Sequence, residues 1–220
     1  MEKVKKVYLA AGHGGADPGA VANNIKEKDS NLVVMLKCKA ELERHGVEVI
    51  CNREKDVEVS LADKVLQANK SGAEIAVSFH SNAGGGDGFE VYHYSTSVNG
   101  KRLASLCEHF VKQIGQNSRG LKSGNHLYFV KNTIMPAVLV ESYFLDNKTD
   151  VKIGDTKAEQ EAFGVAYAKA ILEYFDIEWV EPKPDVIYRV QVGAFGIRKN
   201  AEALQAKLKA LGYDAIIVTK

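Results

Sequence analysis

Short apolar runs alternate with helix-period segments along residues 4–175, and this alternation restricts the chain to a layered α/β fold. Residues 4–10, 47–51, 75–79, 88–94, 127–130 and 137–141 read as strands, being brief and rich in β-branched or aromatic residues. Residues 31–45 carry Leu32, Met35, Leu36, Ala40 and Leu42 at helical spacing, and Gly46 stops them. A second helix follows Ser60, with Asp63 three residues on as in a capping box, and runs to about Lys70. Leu103, Leu106, Phe110 and Ile114 mark a third. Thr156 with Glu159 starts a last one through Phe163, Ala166, Tyr167, Ala170 and Tyr174. The pattern predicts a three-layer α/β/α domain with a mixed or mostly parallel sheet over residues 1–176.

Three of the runs end on side chains that can bind metal. Val7-Tyr8-Leu9-Ala10-Ala11 leads into Gly12-His13-Gly14-Gly15, residues 75–79 lead into His80, and Ala137-Val138-Leu139-Val140 leads into Glu141. In an open α/β sheet the carboxyl ends of the strands form the ligand crevice. Two imidazoles and a carboxylate gathered there point to a metal hydrolase. Catalytic zinc takes three protein ligands and leaves one position for water, and a His–Glu–His set satisfies that. A further carboxylate outside the coordination sphere can move the water's proton. Glu141 suits that role if the strands ending at 80 and 141 are neighbours. Glu27 is a candidate ligand, yet spacing alone does not separate it from Glu41, Glu43 or Glu48. Its position among Lys26, Lys28 and Asp29, just before a helix, is equally that of a solvated cap.

Composition narrows the class further. The formal net charge of +1 over 220 residues gives no argument for nucleic-acid or membrane-surface binding. No segment reaches the ~20 apolar residues that span a bilayer. The first apolar run is too short for a signal peptide and meets the glycine loop at once, which predicts synthesis in the cytoplasm without a leader. Cys38, Cys51 and Cys107 form no CxxC pair and read as small buried hydrophobes. Gly84-Gly85-Gly86-Asp87-Gly88 lacks the Lys-Ser/Thr of a phosphate loop and reads as a flexible rim.

Four segments, in order, resemble the zinc-dependent N-acetylmuramoyl-L-alanine amidases of the amidase_3 type. They are Gly12-His13-Gly14-Gly15-Ala16-Asp17-Pro18-Gly19-Ala20, Glu27-Lys28-Asp29-Ser30-Asn31-Leu32, Ser78-Phe79-His80-Ser81-Asn82-Ala83, and residues 135–147 around Val140-Glu141-Ser142. The resemblance spans roughly residues 4–175. It implies that His13, Glu27 and His80 bind one zinc ion and that Glu141 is the catalytic acid/base. It also implies hydrolysis of the amide between N-acetylmuramic acid and L-alanine in peptidoglycan, hence action on the cell wall after release by a holin or by mother-cell lysis. A different carboxypeptidase-like metallohydrolase and a non-catalytic wall-binding protein are the competing readings.

Outside the four segments, Asn82, His126, Arg53 and Arg119 are candidate substrate contacts, the two arginines through stem-peptide carboxylates. Glu90 and Asn82 are candidates for orienting the histidines. His45, beside Gly46, reads as a helix-end group, and His93 and His109 as ordinary strand and surface residues.

Trp179-Val180-Glu181-Pro182-Lys183-Pro184-Asp185 breaks the alternation, and residues 177–185 read as an extended linker. Residues 186–220 carry six Lys/Arg against two Asp/Glu. They read as a small βαβ unit: strands over 186–195 and 215–218 flank a helix bearing Ala201, Leu204, Leu208 and Leu211. Tyr188-Arg189-Val190-Gln191-Val192-Gly193-Ala194-Phe195 and Leu211-Gly212-Tyr213 resemble one repeat of a SPOR peptidoglycan-binding domain. A single repeat is too small to bury a core alone, so it must pack on the first domain, pair with another chain or be half of a larger unit; pairing of two tails in a homodimer is one such outcome.

Overall fold

The β-branched runs become the centre of a six-stranded sheet. The computed structural model describes residues 4–182 and 190–219. Strands β1 (Lys6–Ala11), β4 (Glu48–Cys51), β5 (Ile75–Asn82), β6 (Phe89–His93), β7 (Ser118–Ser123) and β8 (Ala137–Phe144) lie in the order β4-β1-β5-β8-β6-β7. The first four in that order run parallel; β6 is antiparallel to β8 and parallel to β7. The sheet is mixed, as the alternation predicts.

The layers are unequal. Helices α1 (Glu27–Arg44), α3 (Val98–Gln113) and α5 (Lys157–Tyr174) cover one face. There Met35, Leu103, Phe163 and Tyr167 close over Val7, Leu9, Phe79 and Val140, all fully buried. The short helices α2 (Leu61–Lys70) and α4 (Tyr128–Asn132) serve the other face, where Val65, Ala68 and Phe129 pack on Tyr8, Ala10 and Ala76. Side chains alternate along each strand. Ile75, Val77 and Phe79 therefore enter the thick layer, and Ala76, Ser78 and His80 face the thin one.

Local chemistry sets the helix starts. Ser60 Oγ accepts from Asp63 N (3.1 Å), and Thr156 and Glu159 form the full capping box. The two-residue strands β2 (Val21–Ala22) and β3 (Ile25–Lys26) close through Asn23 and Asn24, both at positive φ, the geometry of a tight hairpin. This hairpin delivers the chain to α1, which starts at Glu27, four residues before the apolar periodicity begins.

Several elements differ from expectation. Residues 127–130, expected as a strand, lead into helix α4: Lys131 N bonds Leu127 O, and Phe129 is buried against the ring of Tyr8. A four-residue apolar run does not reveal its period. Strand β7 was not foreseen, because Ser-Arg-Gly-Leu-Lys-Ser is polar and lies at the sheet edge.

Residues 1–180 and 181–220 are two compact units. The first extends past α5: Trp179 stacks on His45 (4.9 Å between centroids), and Val180 N donates to His45 Nε2 (3.0 Å). His45 Nδ1 in turn donates to Glu41 O at the end of α1 (2.7 Å). In the second unit the described residues form one helix, α6 (Arg198–Ala210). The expected flanking strands are not seen at 190–195 or 215–218; residues 186–189 of the first lie outside the described residues. One isolated pair of short segments buries too little to hold a ladder.

Glu41 shows how α1 is pinned. Burial pushes its carboxyl up, but Lys37 Nζ (2.6 Å) and Arg44 Nε and Nη2 (2.9 and 2.7 Å) donate to it and hold it below the usual range. That stabilisation is complete above the ordinary carboxylate pKa and fades as pH falls through the lower folded value. Glu41→Gln is expected to cost about 1–2 kcal/mol at pH 7, read as a lowered Tm, with the gap from wild type closing below about pH 4.

Candidate metal centre

The loop after β1 is shaped around His13. Gly12 N bonds Phe79 O (2.9 Å), and reciprocal backbone bonds join Gly14 and Asp17 (2.9 and 3.1 Å). His13 takes a positive φ of 56° inside that turn. The turn places Asp17 Oδ2 2.7 Å from His13 Nδ1, leaving Nε2 to face inward. Gly12 is required because the imidazole of His80 occupies the space a Cβ would fill. Gly19, at φ 64°, likewise lies against Glu27 Oε2 and the ring of His13.

Glu27 enters from the opposite layer, as the first residue of α1, where the helix dipole favours a carboxylate. It is 5% exposed. His13 Nε2 lies 3.1 Å from Oε2, and His80 Nδ1 lies 3.0 Å from Oε1. Ala20 N donates to Oε2 (3.0 Å), and Asn31 Nδ2 and Ser81 N donate to Oε1 (3.1 and 3.3 Å). Burial pushes the Glu27 carboxyl up, but the two imidazoles outweigh it and hold it well below the usual range. The bond to Glu27 raises His13 against the opposing effect of burial, with Asp17 adding to the rise; burial lowers His80 despite Glu27. One donor atom from each of His13, Glu27 and His80 lies within 4.8 Å of the others, so this cluster could hold a metal ion.

Glu141 stands in the next strand. His80 on β5, Glu141 on β8 and Glu90 on β6 are register partners and form a row across the sheet. Glu141 Oε2 is buried with no hydrogen-bond partner. Burial, then Glu27 and Glu90, push this carboxyl well above the ordinary range. The row therefore sets a carboxyl with a buried, unpartnered oxygen beside a cluster able to hold a cation.

The other candidates are distributed differently. Arg53 is buried, and its Nη2 donates to Gly12 O (3.0 Å) and Lys28 O (2.7 Å), so it braces the His13 loop and is not available to substrate. Arg119, Lys122 Nζ (2.7 Å), Tyr92 OH (2.7 Å) and Asn82 Nδ2 (3.3 Å) all donate to Glu90. Glu90 and Asn82 thus meet each other and orient neither histidine. His126 is exposed at the rim, edge-on to Tyr92. Asp17 holds His13 instead, and Asn31 holds Glu27. The available signal was spacing, since each lies four residues after the group it holds, Asp17 after His13 and Asn31 after Glu27 on one helix face.

Fold and site together define an α/β protein with a candidate metal centre at the carboxyl ends of its strands. Residues 7–173 match the family model described as N-acetylmuramoyl-L-alanine amidase, and residues 168–220 match that of the SPOR domain. The chain belongs to the N-acetylmuramoyl-L-alanine amidase family. It is 31% identical over 219 residues to the sporulation-specific N-acetylmuramoyl-L-alanine amidase of Bacillus subtilis, covering 98% of this chain and 85% of that protein. It is 38% identical over 183 residues to the endolysin of Bacillus phage SPP1, covering 79% of this chain and 67% of the endolysin. Among solved structures it is similar to the catalytic domain of CwlV, an N-acetylmuramoyl-L-alanine amidase from Bacillus (Paenibacillus) polymyxa var. colistinus. That match has a TM-score of 0.74 and 30% identity, covering 80% of this chain and 100% of that one.

An outer partner such as Asp17 fixes the tautomer and orientation of its histidine. Asp17→Asn is expected to weaken divalent-metal affinity of the cluster about 10–100-fold without unfolding the protein, measured by competition with a chelator alongside circular dichroism.

Proposed function

We propose that this amidase hydrolyses the bond between the lactyl group of N-acetylmuramic acid and the L-alanine of the stem peptide with one zinc ion held by His13, Glu27 and His80, and with Glu141 as proton carrier. The observation that carries the reading is the unpartnered, buried oxygen of Glu141 in register with His80. Two imidazole nitrogens and one carboxylate oxygen are a donor set suited to zinc with an open position. When bound, the ion supplies Lewis-acid polarisation of the carbonyl and lowers the pKa of water towards neutrality.

The chain's own groups do the rest. Asp17 holds the His13 ring so that Nε2 faces the cluster. Asn31 and the amide of Ser81 hold Oε1 of Glu27. The raised affinity of Glu141 for a proton suits it to take one from the attacking water and pass it to the leaving nitrogen. The attacking oxygen then bonds to the carbonyl carbon, and the carbon–nitrogen bond breaks to release a free amino terminus on L-alanine. Arg119, Lys122 and His126 rim the same open face and suit contacts to the peptide.

The relatives include a sporulation-specific amidase and a phage endolysin, which supports action on the cell wall. Release by a holin or by mother-cell lysis is the route that fits such relatives. Among the described residues no helix is long and apolar enough to cross a membrane. We assign residues 1–176 to catalysis, 177–185 to a linker and 186–220 to wall binding. The tail exposes Val190, Val192, Leu211, Tyr213 and Ile216, which supports pairing of two copies through it.

Three outcomes follow. Glu141→Gln is expected to lower kcat by about 10²–10⁴-fold with zinc content unchanged, and full activity would remove it from the mechanism. Chelation abolishes activity and zinc restores it; mass spectrometry of digested peptidoglycan then finds new amino termini on L-alanine and no released carboxyl-terminal residue. In analytical ultracentrifugation the full chain sediments as a dimer and the chain lacking residues 186–220 as a monomer, whereas monomers in both cases exclude pairing through the tail.

A further inference from the structure

Lys64 is a charged group beside the metal cluster that the proposed mechanism leaves without work. It lies in the first turn of α2 and is 5% exposed, yet among the described residues its Nζ has no hydrogen-bond or ion-pair partner. Its stem is buried, while the ammonium itself keeps some contact with solvent and so stays open to a ligand. Its position is firmly built. The segment leading into α2 is clamped to the His13 loop: Asp56 accepts from Gly15 N and from Lys28 Nζ (2.7 Å each), and Lys28 Nζ also donates to Gly15 O (2.9 Å). The carbonyl of Val57 and the backbone of Glu58 fill the space above Gly14 and Gly15. The first turn of α2 is thereby fixed at the carboxyl ends of β1 and β5.

The charges around Lys64 are those of the site. Burial pushes its ammonium down and Arg53 adds to that, while Asp17, Glu27 and Glu58 oppose it; its charge is in turn felt by His80. Arg53 is already spent on the carbonyls of Gly12 and Lys28. Asp17 and Glu27 already accept from imidazoles, and a divalent ion balances their two charges. With the ion bound, Asp17 and Glu27 are taken up by the cluster, and of the carboxylates that act on Lys64 Glu58 alone remains to face it. Helix α2 packs over β1 and β5, whereas Glu141 projects from β8 on the far flank. Glu141 thus comes from the strand beside β5, and Lys64 from the helix laid over β5.

We propose that Lys64 is a catalytic residue that donates from Nζ to the carbonyl oxygen of the scissile amide as negative charge develops there. The inference rests on the amidase reading of the same site. Lys64 neither gains nor loses a proton. The carbonyl electron pair moves onto oxygen as the water oxygen bonds to carbon and returns as the carbon–nitrogen bond breaks, and the transferred proton travels by Glu141. A donor pre-positioned for that charge costs no reorganisation during reaction.

The test measures Lys64→Met and Lys64→Arg in the full chain, with a soluble muramoyl peptide as substrate. Lys64→Met is expected to lose about 10²–10³-fold in kcat, with KM within about threefold and zinc content unchanged. Lys64→Arg, which keeps a cationic donor, recovers at least about a tenth of wild-type kcat. A readout independent of turnover uses the Glu141→Gln background. There, calorimetry compares binding of the intact muramoyl peptide with that of a phosphonate analogue carrying a tetrahedral anion at the scissile position. Lys64→Met weakens the analogue by at least about 100-fold and the peptide by less than about threefold. If Lys64→Met does not fold, Lys64→Gln carries the same comparison. Unchanged kcat, a loss confined to KM, or equal weakening of analogue and peptide overturns the proposal. Failure of the wild-type enzyme to cleave the muramoyl amide would overturn the amidase reading instead.

Discussion

The Glu27 carboxylate between two imidazoles is the interaction on which the rest of the site depends. Burying a carboxylate without partners costs several kcal/mol, and Glu27 escapes that cost because every approach to it is occupied by a donor. His13 comes from the loop after β1, His80 from the end of β5, Ala20 from the turn before the small hairpin and Asn31 from the next turn of α1. Apart from Glu27 and Asn31 on α1, and His80 and its neighbour Ser81 on β5, the groups come from separate local elements. The cluster therefore exists only when the parallel core β1–β5 and the packing of α1 are both complete. Gly12 and Gly19 make the same point sterically: both are bare because the functional side chains fill the space beside them.

The unequal layers convert this cluster into an open site. The thick layer of α1, α3 and α5 supplies most of the buried apolar surface and fixes the strands. The thin layer of α2 and α4 covers β1, β5 and the start of β8, leaving the row His80–Glu141–Glu90 at the uncovered ends. A polymer substrate needs such access, and a domain with two full layers on that face would deny it. The row also separates duties across neighbouring strands. His80 belongs to the metal cluster, Glu141 keeps a free oxygen, and Glu90 gathers Arg119, Lys122, Tyr92 and Asn82 into a fixed polar wall.

The legibility of these parts in the sequence follows from their physics. β1, β5 and β8 are buried on both faces, so their runs are continuous and their ends are visible; His13, His80 and Glu141 stand out for that reason. Glu27 did not stand out, because a helix-capping carboxylate and a metal ligand look alike until the tertiary fold places two imidazoles above it. The four-segment resemblance singled it out where spacing could not. Helix α4 was hidden by its five-residue length and β7 by its polar edge position. Arg53 and Arg119 read alike as candidate substrate contacts, yet one is a buried brace and the other is tied to Glu90, a distinction set by contacts 25 or more residues away. Lys64 sits in an amphipathic helix where a lysine is ordinarily a solvated residue, and only burial beside the cluster distinguishes it.

The proposed zinc site is read most directly by X-ray absorption at the zinc edge of the purified full chain. The expected result is one zinc per chain with two imidazole nitrogens and carboxylate oxygen at about 2.0–2.2 Å, and no sulfur. A sulfur shell near 2.3 Å from Cys51, or an all-oxygen shell, would contradict it.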